Sequence, residues 1–125
     1  MTSTLFDSSV LIAHLRGVSQ AGQLLAGVPR PQRLVSVLSR VEIEGGMQSG
    51  ERPDAARLFG IVTLIPVSDV IARRAAEHLR RFRRSHKGID IVDYVIAASA
   101  EVHEASLATL NLRHFPMFKQ LEAPW

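Results

Sequence analysis

The chain has 125 residues, no cysteine, 46% hydrophobic and 22% charged residues, and a formal net charge of +3. That length holds one domain with one core, and the composition is globular rather than disordered. Disulfides and thiolate metal centres are excluded, no apolar run reaches the roughly 18 residues of a membrane span, and no basic segment followed by an apolar stretch marks export, so a cytoplasmic address without a membrane partner is expected.

Thr4-Leu5-Phe6 reads as a short strand ending at Asp7, after which Ser8 and Ser9 can cap a helix carrying Val10, Leu11 and Leu15 on one stripe; Gly17 ends it. A second short helix spans Gln20 to Ala26, a loop runs from Gly27 to Pro31, and Leu34-Val35-Ser36-Val37 is the next strand. Ser39-Arg40-Val41-Glu42 opens a helix that breaks near Gly50, and Pro53 starts another at its first turn. Ile61 to Ile65 is an apolar strand closed by Pro66. Ser68 then caps an amphipathic helix over 70–84, with Ile71, Ala75, Leu79 and Phe82 at helical spacing and Arg73, Glu77 and Arg81 paired at four-residue steps on another face. After a loop from Ser85 to Gly88 come a strongly apolar helix, Asp90 to His103, and a last strand, Ser106 to Thr109. Strands alternating with helical stretches predict a single α/β domain over 1–125, its sheet parallel, covered on both faces and joined by right-handed crossovers.

Charge is unevenly placed. Thirteen of the 15 basic residues are Arg, and seven basic side chains fall between Arg73 and Lys87. Such a run on a helix is either a solvated outer face or a surface for a polyanion.

Asp7, Glu42, Asp93 and Asn111 each fall where the chain leaves a strand or enters a helix, and in open α/β sheets those junctions gather at one edge as the ligand crevice. Carboxylates packed together repel and raise one another's pKa, so such a cluster calls for a hard divalent cation, Mg²⁺ or Mn²⁺. Each residue also has a structural reading. Asp7 fits an N-cap, and Glu42 completes a Ser-x-x-Glu capping box with Ser39. Asp90 fits an N-cap with Asp93 in the first turn, though Ala97 and Ala100 share the side of the helix that Asp93 occupies, which predicts a packed carboxylate in need of a partner. Asn111 fits a turn. His103 and His114, eleven residues apart, lack the close spacing of zinc motifs, and neither a Gly-rich phosphate loop nor a Gly-x-Ser-x-Gly elbow is present.

Together these segments resemble the PIN-domain ribonucleases, specifically the VapC toxins of type II toxin–antitoxin systems. The resemblance is carried by Leu5-Phe6-Asp7-Ser8-Ser9-Val10-Leu11, by Ser36 to Glu42 with Gly46 behind, by Asp93-Tyr94-Val95-Ile96-Ala97-Ala98 with Ala100, and by Ala108-Thr109-Leu110-Asn111-Leu112-Arg113-His114-Phe115. It implies a three-layer α/β/α fold and Mg²⁺- or Mn²⁺-dependent endonucleolytic cleavage of RNA, with tRNA or another structured RNA as target. It also implies arrest of translation and growth unless a VapB-like antitoxin is bound, a homodimer, and a toxin–antitoxin hetero-oligomer. By the same resemblance Asp7, Glu42 and Asp93 are the acidic metal ligands, and Asn111 stands where many relatives carry Asp. Asn supplies an oxygen but no charge, and Asp90, three residues before Asp93, is the candidate to restore it. Ser8, Thr109 and Arg113 are candidates to orient ligands or substrate phosphate. The alternative reading is a PIN-like module that binds RNA or protein without cutting; a metal phosphatase acting on small phosphoesters is a weaker one.

Overall fold

A computed structural model describes residues 2–125. Its elements in chain order are β1 (Thr4–Phe6), α1 (Ser8–Leu15), α2 (Ser19–Ala26), β2 (Arg33–Ser36), α3 (Val37–Gly46), α4 (Arg52–Gly60), β3 (Thr63–Ile65), α5 (Asp69–Phe82), α6 (Ile91–Val102) and β4 (Ser106–Ala108). Short 3₁₀ turns occur at Arg30–Gln32, Ser49–Glu51 and Leu112–His114. The strands form one parallel sheet in the order β3-β2-β1-β4.

Successive residues of a strand point to opposite faces, and each face of this sheet is apolar. Leu5 is in register with Leu34 and with Leu107. Leu5, Leu34 and Ile65 pack against Ile96, Ala97 and Ala100 of α6, and α5 closes over the same side through Ile71, Ala75 and Phe82 against Tyr94, Val95 and Ala98. Phe6, Val35 and Ala108 face the other way, onto Val10 and Leu11 of α1, Ala21 and Leu25 of α2, Ile43 of α3 and Leu58 and Phe59 of α4. The result is the expected three-layer α/β/α arrangement, with α1 to α4 on one face and α5 and α6 on the other. No helix among the described residues is long and apolar enough to cross a membrane.

Several local expectations are corrected. Asp7, not Ser8 or Ser9, is the N-cap of α1. β2 runs into α3 without a loop, so the cap falls on Ser36, whose hydroxyl accepts the Leu38 N–H at 3.2 Å. Ser39 is therefore already inside the helix, and the Ser39/Glu42 capping box does not form. Ile61 is not a strand residue; it closes α4 by donating its N–H to the Leu58 carbonyl at 3.1 Å, and β3 begins at Thr63. On α5 the pairs are Arg73 with Asp69 and Arg74 with Glu77, not a ladder through Arg81.

The strand order fixes where a site can lie. From β1 the chain moves outward through β2 to β3, then crosses back to lay β4 on the other side of β1. The crevice of an open α/β sheet opens at such a reversal, beyond the carboxyl ends of the strands. Asp7 directly follows β1 and Thr109 directly follows β4, and the Asp7 N–H donates to the Ala108 carbonyl at 2.9 Å, extending the ladder to the rim.

Candidate functional site

Asp7 is 4% exposed and is held by three donors, all on one oxygen. Its Oδ2 accepts the Ser9 N–H at 3.4 Å, the Ser9 hydroxyl at 2.7 Å and the Thr109 hydroxyl at 2.9 Å. Each hydroxyl has a single proton to give. The Leu110 N–H donates to Ser9 Oγ at 3.0 Å and the Asn111 N–H to Thr109 Oγ1 at 3.0 Å. Backbone donors thus occupy the acceptor side of both hydroxyls, and both protons are left pointing at Asp7. Among the described residues no protein group donates to Asp7 Oδ1.

Asp93 sits in the first turn of α6, joined to its N-cap by a reciprocal capping box. The Asp93 N–H donates to Asp90 Oδ1 at 3.1 Å and the Asp90 N–H to Asp93 Oδ2 at 3.4 Å. The Asp93 side chain is 13% exposed, and His114 Nδ1 lies 3.1 Å from Oδ2. Burial, then the Asp90 carboxylate, push the Asp93 carboxyl up to about 6; Asp7 adds to the rise, while His114 and the Asp90 N–H oppose it. The acids at this edge are therefore close enough to repel. Asp93 Oδ1, like that of Asp7, has no protein donor among the described residues.

Glu42 is exposed on α3 and is steered through Ser8. Ser8 Oγ donates to Glu42 Oε1 at 2.6 Å and lies 2.9 Å from Ser39 Oγ. Ser8 has one proton, for which Glu42 Oε1 and Ser39 Oγ are both acceptors, the carboxylate at the shorter distance. Glu42 is thus tethered to the residue beside Asp7 rather than joined to Asp7 and Asp93. Among the described residues no three His, Asp or Glu close on one point as a ready metal cage. Asp90 is exposed at the helix start. Asn111 and Arg113 are exposed on the segment after β4, and neither side chain has a protein partner among the described residues.

Does this set fit a divalent cation? Mg²⁺ keeps most of its water and takes only one or two carboxylates, with substrate phosphate completing the shell. Two uncommitted carboxylate oxygens at a mutually repelling edge, with only oxygen donors around them, fit that chemistry.

Sequence reasoning missed two contributors. Ser9 was legible only as a cap, because its carboxylate-orienting geometry depends on Thr109 and Leu110, a hundred residues away. His114 reaches Asp93 because the 3₁₀ turn Leu112–His114 folds the chain back. Its position shortly after Asn111 is the one sequence signal. His103 terminates α6, ten residues and so about 15 Å along the helix from Asp93, which rules out a shared zinc site.

The PIN domain family matches residues 4–120. The chain is 49% identical over 122 residues to "Ribonuclease VapC10" of Mycobacterium tuberculosis, covering 97% of this chain and 92% of that one. It is 41% identical over 123 residues to "Ribonuclease VapC19" of the same organism, covering 97% and 98%. Among solved structures it superposes on a toxin–antitoxin complex from Klebsiella pneumoniae with a TM-score of 0.82, 24% identity and 98% coverage of both chains.

Proposed function

This chain belongs to the PIN-domain family, in its VapC branch, and from that premise we propose that it is a divalent-metal-dependent endoribonuclease, the toxin of a toxin–antitoxin pair. The observation that carries the reading is the edge where Asp7 and Asp93 each present one uncommitted oxygen and repel each other across the sheet's topological reversal. Mg²⁺ or Mn²⁺ bound there supplies a more acidic water and offsets charge on the phosphodiester.

The chain's own groups do the rest. Ser9 and Thr109 lock the Asp7 carboxylate through Oδ2 so that Oδ1 faces the crevice. Asp93, held by Asp90 and flanked by His114, supplies the second oxygen. Glu42, directed by Ser8, orders water at the far side of the crevice. Asp90 contributes the negative charge that Asn111 does not, and Asn111 and Arg113 line the rim as neutral and cationic contacts for substrate phosphate. A VapB-like antitoxin that covers the crevice is the partner, and the working forms are a homodimer and a toxin–antitoxin hetero-oligomer. Support for this comes from the ribonuclease relatives and from the fold shared with a toxin–antitoxin complex.

The test is cleavage of total cellular RNA, tRNA included, by purified antitoxin-free protein with Mg²⁺, with Mn²⁺ and with chelator, beside Asp93→Asn. Discrete metal-dependent fragments that vanish in the variant support the nuclease. Intact RNA in every lane from folded protein selects the non-cutting PIN module, a reading that the neutral Asn111 and the separation of Glu42 from the other acids favour.

Two variants probe the supporting residues. Ser9→Ala takes its acceptor from the Leu110 N–H and removes the shortest of the donors fixing Asp7. A loss of about 1–2 kcal/mol of stability is expected, together with Mn²⁺ binding weakened roughly tenfold by calorimetry; affinity equal to wild type would leave Ser9 as packing only. Asp90→Asn keeps a good N-cap, so the melting temperature should hold or rise while cleavage at limiting Mg²⁺ falls roughly tenfold or more. Unchanged cleavage would reduce Asp90 to a cap.

A further inference from the structure

The acidic edge that would do the chemistry repels a polyanion, so binding energy for RNA has to come from elsewhere on the molecule. We propose that the uncompensated cationic segment Arg80, Arg81, Arg83, Arg84 and Lys87 is the surface on which the RNA backbone docks before it reaches the Asp7–Asp93 crevice. The inference rests on the nuclease reading and extends it to the substrate's point of attachment.

The sequence shows seven basic residues here, and the structure divides them. Arg73 pairs with Asp69, and Arg74 with both Glu77 and Glu101, so the first half of α5 is neutralised internally. Burial pulls the Glu101 carboxyl upward, yet the hydrogen bonds from Arg74 and from buried His78 leave it below the ordinary range, an ion-pair network that staples α5 to α6. The five remaining cations are all exposed and none meets a carboxylate among the described residues. No acid occurs between Glu77 and Asp90 in the chain.

A solvated helix end does not account for them. The negative end of α5 favours Arg80 and Arg81 in its last turn, but Arg83, Arg84 and Lys87 lie beyond it, where they add repulsion without an internal partner. The loop that carries them makes contacts of its own with the end of α5. The His86 N–H donates to the Phe82 carbonyl at 2.9 Å, the His86 ring meets Phe82 edge to face at 5.4 Å, and the Arg81 guanidinium lies 5.1 Å from the centre of the same ring. Gly88, at φ +91°, then turns the chain toward Ile89 and Asp90. Lys87 stands three residues before Asp90, so the cations end within about 11 Å of the crevice rim. Unpaired guanidiniums this near an acidic crevice suit a strand of phosphates, for which Arg is the better residue; an acidic protein segment would be repelled at the crevice end.

The experiment uses fluorescent single-stranded RNA and the Asp93→Asn protein, so that binding is read without cleavage, over a series of salt concentrations. Arg83→Gln/Arg84→Gln in that background should make the slope of log K against log salt shallower by about 1.4 and weaken binding about tenfold at low salt. In the cleaving protein the same pair should raise KM and leave kcat unchanged. The control Arg30→Gln/Arg52→Gln, also exposed and unpaired, should change neither. Equal slopes for the two pairs overturn the proposal. So does a Glu-rich peptide whose binding is lost in Arg83→Gln/Arg84→Gln while RNA binding persists, which would give the surface to a protein partner. If the wild type cuts no RNA but the slope still falls, the docking surface stands and the nuclease reading fails; cleavage with an unchanged slope means the reverse.

Discussion

Asp93→Asn is expected to abolish RNA cleavage, by roughly a thousandfold or more, while making the metal-free protein more stable at neutral pH. The two effects share a cause. Burial and the neighbouring Asp90 carboxylate hold the Asp93 carboxyl at about 6 against an ordinary 3.8, so the folded state resists its ionisation more than the unfolded state does. For an acid shifted upward, the stability it contributes is fully present below about pH 4 and is lost as the pH rises through about 6. Ionised Asp93 is therefore a net cost to the folded state at neutral pH. Asn keeps the shape and an acceptor for the Asp90 N–H but carries no charge. Melts of the metal-free proteins from pH 4 to 8 should therefore converge at the acid end and separate above pH 6, the variant melting higher. Added Mg²⁺ should raise the wild-type melt at pH 7.5 and leave the variant nearly unmoved. A variant that melts below wild type at pH 7.5 would mean that Asp93 is a structural anion after all.

Asp7→Ala should also eliminate cleavage, but with the opposite effect on stability. Asp7 caps α1 and is the shared acceptor for two hydroxyls whose other sides are taken by backbone N–H groups. Deleting the carboxylate removes the acceptor that both hydroxyl protons share. A loss of about 2–4 kcal/mol is expected from the missing cap and the stranded donors together, read by denaturant unfolding of the metal-free protein. Asp7→Asn retains an acceptor, so it should recover part of that stability and none of the cleavage. The contrast between two neighbouring acids is the informative result. If Asp7→Ala unfolds at the wild-type denaturant concentration, the hydroxyls do not converge on Asp7 in solution.

The alternation of short apolar strands with helical stretches was enough to read the layers and their order along the chain, because each strand is an apolar run bounded by a polar residue or Pro. Boundaries were less legible where two signals overlapped. Ser36 and Ser39 both precede helical positions, and only the direct passage of β2 into α3 decides that Ser36 is the cap. That shift of three residues frees Glu42 from a capping box and hands it to Ser8. Within the site, Asp7 and Asp93 were visible because a junction residue is marked by what flanks it. Thr109 was legible as an orienting candidate through the family resemblance, whereas Ser9 and His114 act across contacts that no local pattern encodes. In the basic run the sequence showed the charges, but Arg74 is neutralised in part by Glu101, 27 residues on, and only the packing of α5 on α6 reveals which cations are left over.

The ladder from Asp7 to Ala108 and the hydroxyl from Thr109 also set a schedule. The first acid of the crevice is made long before the strand and hydroxyl that hold it in place, Thr109 standing 102 residues further along the chain. Contacts this distant along the chain form late, after the intervening elements have closed. The Asp7 carboxylate therefore cannot take its final orientation until Thr109 has been made and brought back beside β1.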